Sequence, residues 1–296
     1  MTVLVFLDPA HPAGRLADAA SPTILATDQG VTRGDGIFES LLAIDGVPLK
    51  IQAHLDRFAV SANTMSLEIP AAKVWQAAIT TALQAYAGAT DQAVVKLVAT
   101  RGPEGANTAS AWVQVSEISP KLAQQRAQGL DVIFLERGYD SQIAARAPWL
   151  LMGAKTLSYA LNMAALRYAH QQGADDVIFT SSDGLVLEGP TSSVLLAHIT
   201  DEFGAPIKRL ITPHLDTGIL PGTTQGALFA AAKSAGWELG YGPVAPADLL
   251  DADAVWLISS LRLLAPVNTI DGTEIGTPKI RAELSTELGE LLAKTL

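Results

Sequence analysis

Helix-like and strand-like segments follow one another irregularly along this chain, without the repeated strand–helix–strand order of a parallel sheet. Hydrophobic periodicity predicts helices over 51–67, 71–87, 157–172, 223–235 and 278–292. Apolar runs predict strands over 93–100, 111–117, 131–135, 177–180, 185–187, 192–199 and 254–259. Turn-forming residues at 102–105 and 181–184 join neighbouring strands into hairpins. This mixture predicts an α+β fold.

A polar stretch near the middle of the chain, with Pro120 and Gly129 in it, marks a domain boundary. We predict a smaller N-terminal α/β domain over 1–118, a linker over 119–129 and a larger C-terminal domain over 130–296. The chain has 296 residues, of which 49% are hydrophobic. That is enough apolar material for two buried cores, and it excludes a disordered chain.

Composition excludes several classes of function. Lys+Arg is 20 against Asp+Glu 30, a formal net charge of −10 with no basic run, so we expect no nucleic-acid partner. Cysteine is absent, which removes disulfides, thiolate metal sites and cysteine nucleophiles. The five histidines show no metal-ligand spacing, and we expect no metal. The sequence contains neither a Walker A loop nor a Gly-x-Ser-x-Gly elbow.

The N-terminus lacks a basic region, and its apolar run is short for a signal peptide. No stretch reaches the roughly 18 uncharged apolar residues that span a bilayer. We therefore expect a cytoplasmic protein with no membrane partner.

Two charged residues stand alone in apolar surroundings. Lys155 is the only charged residue in 147–166, and Glu188 is the only one in 184–200 with His198 taken as neutral. Desolvation favours the neutral, nucleophilic amine that a Schiff-base lysine needs. A buried carboxylate needs a cation or donor, and a pyridinium nitrogen is one such partner. The plain alternatives are a lysine that extends to water at a helix start and a strand-end glutamate facing solvent.

Two further segments have the chemistry of phosphate binding. The run Leu220–Gln225 opens a predicted helix, whose N-terminal N–H groups attract anions, and it supplies the hydroxyls of Thr223 and Thr224. Arg57 has the planar fork that suits a phosphate dianion. The alternatives are simple N-capping by threonine, and an exposed Arg57 that pairs with Asp56 or with nothing.

A lysine, a carboxylate and two phosphate-binding segments together describe a site for pyridoxal 5′-phosphate. In order and spacing, the chain resembles the fold-type IV pyridoxal-phosphate enzymes, the class IV aminotransferase family. The resemblance runs from about residue 28 to about residue 272. The matching segments are 28–39, 54–57, 155–158, 187–194, 220–224, and 259–260 before 266–267.

The resemblance implies a role for each matching residue. Lys155 would carry the cofactor and move protons, and Glu188 would pair with the pyridine nitrogen. The cofactor phosphate would be held by Arg57, Thr223, Thr224 and Ser260. The resemblance also implies the two-domain D-amino-acid aminotransferase-like fold and a homodimer.

Within the family, the resemblance favours 4-amino-4-deoxychorismate lyase, which releases pyruvate and yields 4-aminobenzoate, a step toward folate. The segment 155–158 looks like the Lys-x-Leu-Asn pattern of lyases and D-amino-acid aminotransferases. Ser40 and Ser158 depart from the lyase pattern, so an aminotransferase for D-amino or branched-chain amino acids stays open, as does a non-catalytic cofactor- or anion-binding protein. Candidates for binding a substrate carboxylate are Arg33, Arg101, Arg146 and Arg262, each of the first three with a surface salt bridge as its alternative.

Overall fold

A computed structural model describes residues 1–202 and 205–296, and it divides them between two compact units. The first unit consists of Met1–Ser119 and the short segment Ala154–Tyr159. The second consists of Pro120–Gly153 and Ala160–Leu296. The segment that contains Lys155 therefore belongs with the N-terminal residues.

The first unit is an antiparallel sheet with helices. Its strands are β1 (Thr2–Asp8), β2 (His11–Ala17), β3 (Gly36–Ile44), β4 (Val47–Pro48), β5 (Gln92–Thr100) and β6 (Ser110–Glu117). Its helices are α1 (Gln29–Arg33), α2 (Ile51–Thr64) and α3 (Ala72–Ala85). The strand order is β2-β1-β6-β5-β3-β4, and every neighbouring pair is antiparallel.

Alternation along β3 decides what this sheet buries. Ile37, Glu39 and Leu41 are all fully buried on one face, whereas Phe38 and Ser40 are half-buried on the other. Helix α2 packs against β3, and α3 packs against β1, β2 and β6. The helices contribute Phe58 and Trp75, whose rings meet edge to face at 5.0 Å. Glu39 is thus a carboxylate on the core face of the sheet.

The second unit is a larger mixed sheet with helices. Its strands are β7 (Leu130–Glu136), β8 (Asp176–Thr180), β9 (Ser193–Glu202), β10 (Ala205–Pro213), β11 (Glu238–Gly242), β12 (Ala254–Ser259), β13 (Leu263–Ile270) and β14 (Thr273–Glu274). Its helices are α4 (Pro120–Gln128), α5 (Ile143–Arg146), α6 (Ala160–Gln171), α7 (Thr223–Ser234), α8 (Pro246–Leu250) and α9 (Pro278–Ala293), with 3₁₀ turns at Pro148–Leu150 and Leu215–Thr217. The order is β11-β10-β9-β12-β13-β7-β8, with β14 paired to β13.

The central strand β12 explains why this sheet has layers on both faces. Val255 and Leu257 pack into one hydrophobic cluster, while Ala254, Trp256 and Ile258 pack into another that includes α7 and α9. Because β12 is apolar at each position from Ala254 to Ile258, both of its faces are buried.

Most predicted elements are confirmed, including the helices within 51–67, 71–87, 223–235 and 278–292 and the β5–β6 hairpin. The prediction of helix from Leu157 is wrong at its start, because α6 begins only at Ala160. Before it, Thr156 bridges to Ile37, and the N–H of Leu157 donates to the carbonyl of Gly36. The helical spacing also predicts that Leu157, Leu161, Ala164, Ala165 and Tyr168 share an apolar face. Ala165 is buried as predicted, but Leu161 and Tyr168 are 51% and 47% exposed, and Ala169 packs inward instead.

Two other segments differ from the predictions. Residues 185–187 form no regular strand, but the predicted hairpin is present in part: Val186 makes one antiparallel bridge to Thr180, and the N–H of Leu187 donates to the carbonyl of Phe179. The N–H of Val186 donates instead to the carbonyl of Val244. The stretch assigned to a linker contains helix α4, which belongs to the second unit. Within residues 1–202 and 205–296, no helix is long and apolar enough to cross a membrane.

Candidate active site

Lys155 lies on an extended segment that continues the sheet of the first unit. Thr156 bridges to Ile37, and the backbone N–H of Lys155 donates to the hydroxyl of Ser61 at 3.1 Å. Its Nζ lies 4.4 Å from the ring centroid of Phe38 and 5.5 Å from that of Tyr159. Two aromatic rings therefore lie beside the amine of a half-buried lysine, at distances where a cation–π attraction acts.

Arg57 is held by a buried carboxylate in the same unit. Its Nε and Nη2 donate to the two oxygens of Glu39 at 2.7 and 2.8 Å. His54 Nδ1 lies 2.8 Å from Glu39 Oε2, so both oxygens of the carboxylate are engaged. Neither alternative for Arg57 holds, because it is neither exposed nor paired with Asp56.

The ionisation of Glu39 makes the stability that Glu39, His54 and Arg57 contribute depend on pH. Burial alone would raise the pKa of Glu39, but hydrogen bonds from His54 and Arg57 outweigh it and lower that pKa from 4.5 to about 2. The carboxylate thus stabilises the fold above pH 4.5 and loses this contribution as the pH falls toward 2.

We expect the free energy of unfolding of the wild type to lose about 3 kcal/mol through Glu39 between pH 4.5 and pH 2. Glu39→Gln lacks this group, so the stability gap between the two proteins should narrow from pH 6 to pH 3. Urea unfolding at both pH values measures the gap. A gap that is equal at the two pH values would contradict the assignment.

In the second unit, Glu188 lies beside the segment that precedes α7. Its Oε2 accepts a hydrogen bond from the backbone N–H of Leu220 at 3.1 Å. Asn162 stabilises the loop after Glu188, because its amide donates to the carbonyl of Pro190 and accepts a hydrogen bond from Arg137. Burial raises the pKa of the Tyr139 hydroxyl, Arg137 opposes this, and the charge of Glu188 adds to it. The phenol of Tyr139 therefore stays protonated at neutral pH.

Three hydroxyls meet at the N-terminus of α7. The Oγ atom of Ser260 lies 3.2 Å from the Oγ1 atoms of both Thr223 and Thr224. Gly222 precedes the helix without a side chain, and a Cβ there would lie 2.6 Å from Ser193 Oγ. The structure thus brings together four residues that sequence reasoning selected in three separate segments: Glu188, Thr223, Thr224 and Ser260.

Each arginine predicted to bind substrate has a carboxylate partner inside its own unit. Arg33 pairs with Glu104, Arg101 pairs with Asp35 and also donates to backbone carbonyls, and Arg146 pairs with Asp140. These salt bridges are the alternative roles given above for the three arginines. The exposed pairs of Arg33 and Arg146 are weak, so either arginine could leave its carboxylate for that of a substrate. Substrate contact by these three residues stays a prediction.

Arg262 occupies a different environment from the one expected. Its side chain is 7% exposed, and its Nη2 lies 2.5 Å from Asp176 Oδ2. Its other nitrogens donate to Gln125 and Ser192. Because these partners engage the guanidinium inside the second unit, the geometry favours a structural role for Arg262 over the predicted contact with a substrate carboxylate.

The sequence patterns predict no role for Glu39, Arg137 or Asn162. The sequence could have indicated Glu39, because strand alternation puts it on the same face of β3 as Ile37 and Leu41, where a charged residue is unusual. Arg137 and Asn162 gave no such signal, since they meet only through folding of the second unit.

The glycine that opens β3 controls the position of the lysine segment. A Cβ at Gly36 would lie 2.6 Å from the carbonyl oxygen of Ala99 and 2.7 Å from Leu157 Cδ1. We expect Gly36→Ala to lower the free energy of unfolding by roughly 1–3 kcal/mol and to reduce turnover, because Leu157 is two residues from Lys155. Gly289→Ala is the matched control, since open space surrounds that position. Wild-type stability and turnover in Gly36→Ala would show that the contact is unimportant.

Taken unit by unit, the donor groups each suit one part of a phosphorylated pyridine aldehyde. Clustered hydroxyls at the N-terminus of a 12-residue helix suit a phosphate, and a carboxylate oriented by a backbone N–H suits a protonated ring nitrogen. A sheltered lysine amine suits an aldehyde.

The family Amino-transferase class IV matches residues 36–270, and the chain belongs to this family of pyridoxal-phosphate enzymes. Its cofactor is pyridoxal 5′-phosphate, and its reaction is a transamination or a lyase reaction.

Three comparisons specify the relationship further. A Mycobacterium tuberculosis protein named bifunctional aminodeoxychorismate lyase / D-amino acid transaminase is 41% identical over 276 residues, 93% of this chain and 95% of that protein. The fold IV-transaminase structure from Curtobacterium pusillum is 41% identical, covers 99% of each chain and has a TM-score of 0.89. The pyridoxal-phosphate-bound form of a hypothetical aminotransferase from Mycobacterium tuberculosis is 38% identical, with coverage of 100% and 98% and a TM-score of 0.89.

Proposed function

We propose that this enzyme eliminates pyruvate from 4-amino-4-deoxychorismate to give 4-aminobenzoate, and that it also transaminates D-amino acids. The observation that supports the proposal is the 41% identity, over nearly both full lengths, with the Mycobacterium tuberculosis protein named for these two activities. The environment of Lys155 suits both reactions, because each begins by removing a proton next to the substrate amine.

The bound cofactor draws electrons away from the carbon that bears the substrate amine, which makes its proton removable. Lys155 takes this proton at Nζ, while the rings of Phe38 and Tyr159 restrict where the amine can move. Glu188, whose Oε2 accepts from the backbone N–H of Leu220, would accept a hydrogen bond from the ring nitrogen of the cofactor and keep it protonated.

The remaining residues bind the cofactor phosphate. The hydroxyls of Thr223, Thr224 and Ser260 are the proposed donors to it. Arg57, whose guanidinium Glu39 orients, is the further phosphate ligand that the sequence resemblance implies. None of these groups acts on the leaving group, so they serve a lyase and a transaminase equally.

A paired assay tests the proposed reactions. The purified enzyme is incubated with 4-amino-4-deoxychorismate and followed by 4-aminobenzoate fluorescence and pyruvate release. In parallel, D-alanine or L-leucine is supplied with 2-oxoglutarate, and glutamate is measured. We expect 4-aminobenzoate in the first assay and glutamate from D-alanine in the second. Glutamate from L-leucine without 4-aminobenzoate would contradict the proposal and favour a branched-chain aminotransferase.

We also propose that the enzyme is a homodimer. The second unit exposes five large apolar side chains within 149–168: Trp149, Leu150, Leu161, Met163 and Tyr168. Apolar surface of this kind is typical of a protein interface. Light scattering should give twice the 31.0 kDa chain mass, and Trp149→Ser with Leu161→Asp should shift the protein toward the monomer. A monomeric wild type would contradict the proposal.

A further inference from the structure

We propose that Glu39 is a positioning residue for the cofactor phosphate and acts through Arg57. The inference rests on the proposed role of Arg57 as a phosphate ligand. Glu39 lies on the core face of β3, and Arg57 reaches it from α2 with two parallel hydrogen bonds of 2.7 and 2.8 Å. An arginine has five N–H donors in a rigid plane, so fixing one edge of the guanidinium also fixes the direction in which its other N–H groups point.

The burial of Glu39, His54 and Arg57 indicates that the ion pair orients the guanidinium of Arg57 and does not serve only to stabilise the fold. Glu39 and His54 are almost fully buried, and the Arg57 side chain is 10% exposed. An apolar side chain of similar volume at a core position commonly stabilises a fold at least as well as a buried ion pair does. What the pair adds is a guanidinium with one orientation, and His54 prevents the carboxylate itself from rotating.

The charges lead to the same conclusion. Glu39 neutralises the formal charge of Arg57, so the pair attracts a phosphate dianion mainly through directed hydrogen bonds. Arg57→Lys keeps the cation but loses the planar fork, and it should therefore bind the cofactor much more weakly than the wild type.

The experiment measures the apparent Kd of the full-length apoenzyme for pyridoxal 5′-phosphate and, separately, for pyridoxal, which lacks the phosphate. We expect Arg57→Ala to weaken binding of the phosphorylated cofactor by roughly ten- to a hundredfold and to leave pyridoxal affinity nearly unchanged. Glu39→Gln should weaken it by about tenfold in the wild-type background and have no further effect in Arg57→Ala. Glu104→Gln, at an exposed ion pair of the same unit, is the control.

The outcomes separate the two claims. If Arg57→Ala leaves both affinities unchanged or lowers both alike, Arg57 does not bind the phosphate and the proposed function of that residue fails. If Arg57→Ala behaves as expected but Glu39→Gln does not weaken phosphorylated-cofactor binding, or weakens pyridoxal binding equally, the positioning role of Glu39 is overturned. Should Glu39→Gln not fold, Glu39→Asp carries the same test, and wild-type affinity in Arg57→Lys would also overturn the inference.

Discussion

Replacing Lys155 with alanine is expected to lower turnover by roughly 10⁴-fold in the lyase and the transaminase assay alike. Both reactions need the same amine to carry the cofactor and to remove the same proton. The fold should persist, because Lys155 is joined to the first unit by its backbone, through Ser61 and Phe38, as well as by its amine. Circular dichroism and thermal unfolding check this point.

The matched control is Lys73→Ala, which removes an exposed ammonium from α3 of the same unit. It should retain wild-type turnover. If Lys155→Ala keeps more than a small fraction of either activity while Lys73→Ala is normal, Lys155 is not the amine that both reactions share.

Asp176→Ala is expected to lower the free energy of unfolding by about 3–5 kcal/mol, because it leaves the buried guanidinium of Arg262 without its carboxylate. The carboxylate also accepts a hydrogen bond from the backbone N–H of Val177, so two donors lose their acceptor at once. Arg262 follows Ser260 by two residues and donates to Ser192, so cofactor affinity should fall along with stability.

An exposed ion pair of the same unit supplies the comparison for Asp176. Asp140→Ala removes the partner of Arg146 at the surface and should change the unfolding free energy by less than about 1 kcal/mol. Urea unfolding of both variants measures the difference. Equal stability of Asp176→Ala and Asp140→Ala would mean that burial of the Arg262 pair has no energetic importance.

The elements that local pattern decides were predictable from the sequence. The β5–β6 hairpin has a turn between two alternating strands, and α7 has alanine-rich periodicity with Gly236 after its end. The start of α6 was not predictable in this way. Leu157 has helical spacing to later apolar residues, but its N–H pairs with Gly36 far back in the chain, and that tertiary contact decides its conformation.

The same distinction applies to the candidate site. Lys155 and Glu188 could be selected because each is a lone charge in an apolar run. The partner of Arg262 could not, since Asp176 is 86 residues away and only the sheet brings them together. For this reason the sequence predicts Arg262 as a substrate ligand, whereas in the folded chain its guanidinium pairs with Asp176.

The central claim, that Lys155 is the residue that carries pyridoxal 5′-phosphate, can be measured by chemical trapping. The holoenzyme is reduced with borohydride, digested, and mapped by mass spectrometry for the phosphopyridoxyl group. We expect the group on the peptide that contains Lys155 and nowhere else, with no label in Lys155→Ala. A label on a different lysine of the holoenzyme, or none after reduction, would contradict the claim.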